Sequence, residues 1–246
     1  MSGHSKWSTI KRKKGAKDAA RGQLFAKLAR AIEVSAREGG GDVEANYSLA
    51  SAVEKAKAAS MPHENIQRAI RRGAGDLEGV TYDEIWYEGY APGGVALYVQ
   101  CLTDNRNRVA SDVRAAFTRN NGNMGEPGSV SYLFEQKGYL LASGEEDDVM
   151  AAAIDGGAED VRPSGEQWEI ITAPGDLKAV KQALDNADIA CDTAEVTQLP
   201  TTTVPVGSDN AAKVLRLLDA LDELDDVQSV FANFDISDEV MAEVVG

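Results

Sequence analysis

Two histidines, two cysteines and a few paired carboxylates are the residues of this 246-residue chain whose chemistry could be catalytic. Their spacing does not assemble a site. His4 and His63 stand apart from each other and from either cysteine, so no tetrahedral nitrogen–sulfur metal set can be drawn. Cys101 and Cys191 lie far apart in apolar, strand-like surroundings, which suits buried free thiols in a reducing compartment and implies no disulfide framework. Gly73-Ala74-Gly75 would need glycine at position 78 to make a dinucleotide-binding turn, and Glu78 stands there instead. No glycine run ends in the Lys-Ser or Lys-Thr of a nucleoside-triphosphate loop. Glu145 and Asp148 fall at a helix start, where the dipole favours acids, and Asp222 with Asp226 reads as part of a solvated acidic face. The chain is therefore expected to hold no metal, no cofactor and no catalytic residue.

The remaining chemistry is electrostatic. Residues 1–37 carry ten Lys or Arg against two acids, a net charge of +8, whereas the whole chain stands at −15; the other 209 residues therefore stand at −23. With a pI near 4.6 the protein cannot coat a nucleic acid over its whole surface, so the asymmetry implies a local contact with a polyanion at one end. The candidate contacts are Lys6, Lys11, Arg12, Lys13, Lys14 and Lys17 in a leading arm, and Arg21, Lys27 and Arg30 along the helix that follows. Trp7, lying among those cations, can stack on a base. Lys binds phosphate as a point charge and Arg as a bidentate fork, so binding should be salt-sensitive and mostly blind to sequence. Arg106 and Arg108, interleaved with Asn105 and Asn107 at a helix start, form a second candidate: cations there oppose the helix dipole and call for a partner.

The elements that must position these residues follow from periodicity. The arm is expected to be irregular, because Lys11–Lys14 repel one another. From Lys17 a helix places Phe25, Leu28, Ala29, Ile32 and Ala36 on one stripe and Lys27, Arg30 and Arg37 on another face, ending at Gly39-Gly40-Gly41. Asp42 is read as the cap of a second helix, Met61-Pro62 as its break, and Pro62 as the first turn of a third that stops at Gly73. Two β-branched and aromatic runs around Pro92-Gly93-Gly94 predict a hairpin over 82–102, followed by a helix from Asn107 and a loop dense in breakers over 120–128. From Tyr132 to Leu199 the order is βαββαβ, the split βαβ of ferredoxin-like folds. A strand, a helix over 208–224 and a last strand over 228–234 follow, and element order lets them complete the earlier hairpin-plus-helix unit.

Several separated motifs, GHSKW (Gly3–Trp7), YEGYAPGG (Tyr87–Gly94), LTDNRNR (Leu102–Arg108) and GSVSYLF (Gly128–Phe134), closely resemble the YebC family. Its members are widely named probable transcriptional regulators, and the mitochondrial translational activator of cytochrome c oxidase is related to them. The resemblance covers essentially the whole chain. It implies an α+β architecture in which an N-terminal three-helix domain is followed by two α/β, ferredoxin-like domains, the third inserted in the second. The boundaries expected here are a basic arm over 1–16, a helical domain over 17–77, an α/β domain of 78–130 plus 201–246, and an insertion over 131–200. The resemblance also implies a cytoplasmic protein without a cofactor, and it offers no catalytic motif to carry over. The clumped arm is unlike an amphipathic transit peptide, and no run of 18 apolar residues could span a bilayer. Two mechanisms fit: promoter DNA bound by a regulator of transcription, or ribosomal RNA bound by a factor that eases elongation through proline-rich stretches. The acidic α/β part would be free to hold a protein partner.

Overall fold

A computed structural model describes residues 18–245, so Lys6, Trp7, Lys11, Arg12, Lys13, Lys14 and Lys17 lie outside the described residues. Three helices come first: α1 (Asp18–Gly39), α2 (Tyr47–Ala58) and α3 (His63–Ala74). The expected stripe of α1 faces inward. Ile32 and Ala36 are buried with Leu49, Val53, Ala56, Ile66 and Ile70, and Phe25, Leu28 and Ala29 pack against them. The cap of α2 is Asn46, not Asp42. Its Oδ1 accepts the Leu49 N–H at 3.1 Å while its Nδ2 donates to the carbonyls of Ser35 and Gly40, both at 2.8 Å. An amide can accept at the cap and donate twice at once, which neither a carboxylate nor a hydroxyl can do. Asp42 instead accepts the N–H of Glu44 inside the turn. Pro62 precedes the first turn of α3 as its cap residue.

Gly73 does not end α3. A Cβ there would lie 2.3 Å from the Glu33 carbonyl oxygen, so glycine is what lets α3 touch the backbone of α1. The helix stops at Gly75, whose φ of +91° is the left-handed cap conformation.

The chain then forms β1 (Asp83–Ala91), β2 (Val95–Thr103), α4 (Arg106–Arg119) and the short β3 (Asn123–Met124). It continues through β4 (Phe134–Ser143), α5 (Glu146–Asp155), β5 (Asp160–Ser164), β6 (Gln167–Thr172), α6 (Leu177–Asn186) and β7 (Ala190–Pro200). Last come β8 (Val204–Pro205), α7 (Ser208–Asp222), β9 (Val227–Ala232), β10 (Phe234–Asp235) and α8 (Asp238–Val245). One sheet has the order β3-β1-β2-β9 and another β5-β6-β4-β7. The second is the ferredoxin-like arrangement expected from the βαββαβ order, and it is built entirely between β3 and β9 of the first. It is therefore an insertion. Val109, Val113 and Phe117 of α4 and Val214, Leu217 and Leu218 of α7 bury one face of the first sheet over Leu97, Val99 and Cys101. Apolar residues at i, i+3, i+4 and i+7 make such helices pack on a sheet by burial alone.

The breaker-rich loop after α4 is ordered by one buried side chain. The Glu88 carboxylate accepts backbone N–H groups from Gly128 at 2.8 Å, Val130 at 2.6 Å and Ser131 at 2.8 Å. Its own carbonyl accepts the Gly125 N–H at 2.8 Å. Burial pushes this carboxyl upward, but the N–H bonds to its charged form outweigh that and hold it below the usual carboxylate range. A depressed folded pKa gives stability that is present above the unfolded value and lost as pH falls through the folded one. Replacing Glu88 by Gln should therefore lower stability by about 1–3 kcal/mol at neutral pH. It should also flatten the acid limb of the urea-denaturation midpoint against pH; an unchanged acid limb would contradict this role.

Candidate nucleic-acid interface

At about 100° per residue, Gln23, Lys27, Arg30 and Arg37 share the face of α1 opposite its apolar stripe. The structure turns that face onto the acidic corner between α7 and β9. Gln23 donates to the Glu223 carbonyl and to Asp225 Oδ1, each at 2.8 Å. Lys27 donates to the Asp222 carbonyl, with its ammonium 3.9 Å from the Asp222 carboxylate. Arg30 donates to the Leu102 carbonyl at 3.2 Å and the Asp225 carbonyl at 2.5 Å, and lies 3.3 Å from Asp226 Oδ1. Its guanidinium also sits 5.2 Å from the Tyr82 ring centroid. Arg37 donates to the Val80 carbonyl at 3.1 Å. The last carbonyls of a helix carry its negative dipole end and lack internal partners, so the end of α7 is suited to receive these donors.

Lys27 and Arg30, both expected to contact phosphate, are placed against the chain's own carbonyls and carboxylates. Their side chains are only 12% and 14% exposed, and their charges are met within the chain. Asp226 departs further from expectation. Far from a solvated face, its carboxylate is 6% exposed and takes Arg108 Nη2 at 2.8 Å, Arg108 Nε at 3.1 Å and Thr103 Oγ1 at 3.0 Å besides Arg30. Arg108 also reaches Asp104 at 2.6 Å, and Arg106 pairs with Asp83 at 2.8 Å. The dipole cost expected for two cations at the start of α4 is met by these three carboxylates. Asn105 caps that start by accepting the Arg108 N–H at 3.1 Å.

Arg21 remains exposed, its guanidinium 5.3 Å from the Phe25 ring centroid, and Arg106 stays 69% exposed at the surface despite its partner. Neither thiol is suited to nucleophilic work. Burial pushes Cys101 up to about 12 and also raises Cys191, which is half-buried and not fully enclosed as expected. Among the described residues no group of three His, Cys, Asp or Glu could hold a metal ion.

Removing the Asp226 carboxylate would leave the enclosed guanidinium of Arg30 without its charge partner. Asp226→Ala should therefore destabilise the protein by about 3 kcal/mol in urea denaturation, as broken buried ion pairs do. A loss within the roughly 0.5 kcal/mol typical of surface substitutions would show that the corner is not what holds α1.

Comparison with known proteins places these residues in a family. Residues 5–76 match the TACO1/YebC protein N-terminal domain, and residues 82–234 match the TACO1/YebC second and third domain. A probable transcriptional regulatory protein of Rubrobacter xylanophilus is 58% identical over 250 residues, spanning 100% of both chains. Another of that name, from Acidothermus cellulolyticus, is 56% identical over 99% of this chain and 100% of its own. The crystal structure of a conserved hypothetical protein from Aquifex aeolicus is similar with a TM-score of 0.81 at 50% identity, covering 91% of this chain and 94% of that one. The three-helix unit, the interrupted first sheet, the Leu102–Arg108 motif and the opening motif from Ser5 onward lie within the matched residues, and the chain belongs to the TACO1/YebC family.

Proposed function

We propose that this protein is a non-enzymatic, nucleic-acid-binding regulator of gene expression that grips phosphate through the basic arm preceding α1. The observation that carries this reading is the charge segregation, +8 over residues 1–37 against −23 elsewhere, on a helix whose inner cations are already spent on the acidic corner. Once Lys27 and Arg30 are so engaged, the cations left to meet a polyanion are Lys6, Lys11, Arg12, Lys13, Lys14, Lys17 and Arg21, with Trp7 beside them to stack on a base. The acidic units repel phosphate and orient the contact toward the arm. The name shared by the relatives, probable transcriptional regulatory protein, supports a regulatory role acting on nucleic acid. No described helix is long and apolar enough to cross a membrane, which agrees with a cytoplasmic site of action.

The working polyanion is promoter DNA in this reading; ribosomal RNA, with the protein easing elongation through proline-rich stretches, is the alternative. The test is co-sedimentation with DNase-treated ribosomes beside duplex-DNA binding, comparing wild type with a variant in which Lys11, Arg12, Lys13 and Lys14 are all Ala. Loss of four phosphate contacts should flatten the slope of log K against log salt by up to about 3.6 for duplex DNA or about 2.8 for single strands. Sedimentation of the wild type alone would select the ribosome. A wild type that binds neither target would end the nucleic-acid reading.

A further inference from the structure

We infer that the outer face of α4 is a second contact for the phosphate backbone of the same nucleic acid, an inference that rests on the nucleic-acid reading above. Helix α4 carries four Arg and one Asp in 14 residues, a positive island in a part of the chain that is otherwise strongly acidic. Its inner side is fixed by Val109, Val113, Ala116 and Phe117 in the core, which turns Asn107, Ser111, Arg114 and Thr118 outward at i, i+4, i+7 and i+11. Arg106 and Arg108 are tied to carboxylates, but Arg114 and Arg119 are exposed and have no ion-pair partner among the described residues.

These residues line a shallow trough of about 540 Å³ that is walled among the described residues by α4 alone. It suits an extended partner that lies along the helix, and the small Ala110 and Ala115 on its floor allow close approach. The donors are of the kind that phosphate takes: two guanidinium forks, the Ser111 hydroxyl and the Asn107 amide. The Thr118 hydroxyl is already committed to the Arg114 carbonyl at 2.9 Å, so it shapes the trough and is not counted as a donor. From Asn107 to Thr118 the helix rises about 17 Å. That is about five repeats of a nucleic-acid strand at 3.4 Å each. Arg119, in the last turn, is also favoured by the dipole, whereas Arg114 at mid-helix gains nothing from it.

The test uses the full chain, a fluorescein-labelled mixed-sequence single-stranded RNA of 20 nucleotides, and a duplex DNA of the same length. Affinity is read by anisotropy across a salt series. Arg114→Glu combined with Arg119→Glu should weaken binding to the probe that the wild type prefers by at least about tenfold at low salt. Arg114→Gln with Arg119→Gln should flatten the slope by about 1.4 for RNA or about 1.8 for duplex. Ser111→Asp, which leaves both guanidinium groups in place, should also weaken binding. Circular-dichroism melting checks that each variant is folded. Unchanged affinity and slope in all three variants, with a wild type that binds, would overturn this inference and leave the arm's role standing. Competition by polyglutamate as effective as that by RNA would also overturn it, making the face a site for an acidic protein. A wild type that binds neither probe would sink the nucleic-acid reading and this inference together.

Discussion

Asp226 is a carboxylate almost closed off from water at the start of β9, and three elements converge on it: α1 through Arg30, α4 through Arg108, and the end of β2 through Thr103. A buried carboxylate is tolerated only when opposite charge and hydrogen bonds replace its hydration. Here both oxygens are occupied. Because β9 returns to the first sheet after the whole insertion has been built, the same residue ties the helical unit to the strand that closes the interrupted sheet. An ion pair from the helical unit to the inserted sheet, Lys55 with Glu195 at 2.5 Å, has the Lys half exposed, and surface pairs contribute at most about 1 kcal/mol. The Asp226 corner is therefore what sets the placement of α1.

That placement divides the cations of the N-terminal stretch into two groups with different work. Those on the inner face of α1 meet carbonyls and carboxylates of the chain itself, and those before it are the ones to which the proposed function gives the polyanion. Net charge alone would have counted both groups as a phosphate footprint. The division also explains how a strongly acidic protein can carry a basic helix: the acids and carbonyls of the α7–β9 corner hold that helix from behind.

Much of the fold was legible because it rests on local periodicity. The stripe from Phe25 to Ala36, the hairpin around Gly93-Gly94 and the βαββαβ order all follow from patterns within a few residues of one another. The misreadings share a different cause. Asn46 was passed over for Asp42 because a cap that must also donate to α1 is a tertiary demand. Gly73 looked like a stop because nothing in the local sequence announces the Glu33 carbonyl against it. Nothing local in the sequence announces that Lys27 meets Asp222, 195 residues away. Asp226 was read as solvated for the same reason. At the candidate interface, the residue types were visible in the sequence, but which charges are already neutralised was not.

The division of cations is tested most directly by a double-mutant cycle on Arg30→Ala and Asp226→Ala, followed in urea denaturation and in affinity for duplex DNA. The account predicts stability losses that fail to add by about 1 kcal/mol or more, as for residues in one network. It also predicts that Arg30→Ala leaves both the affinity and its salt slope unchanged. Additive losses, with a slope that flattens by about 0.9 on removing Arg30, would place that guanidinium on phosphate and contradict the account.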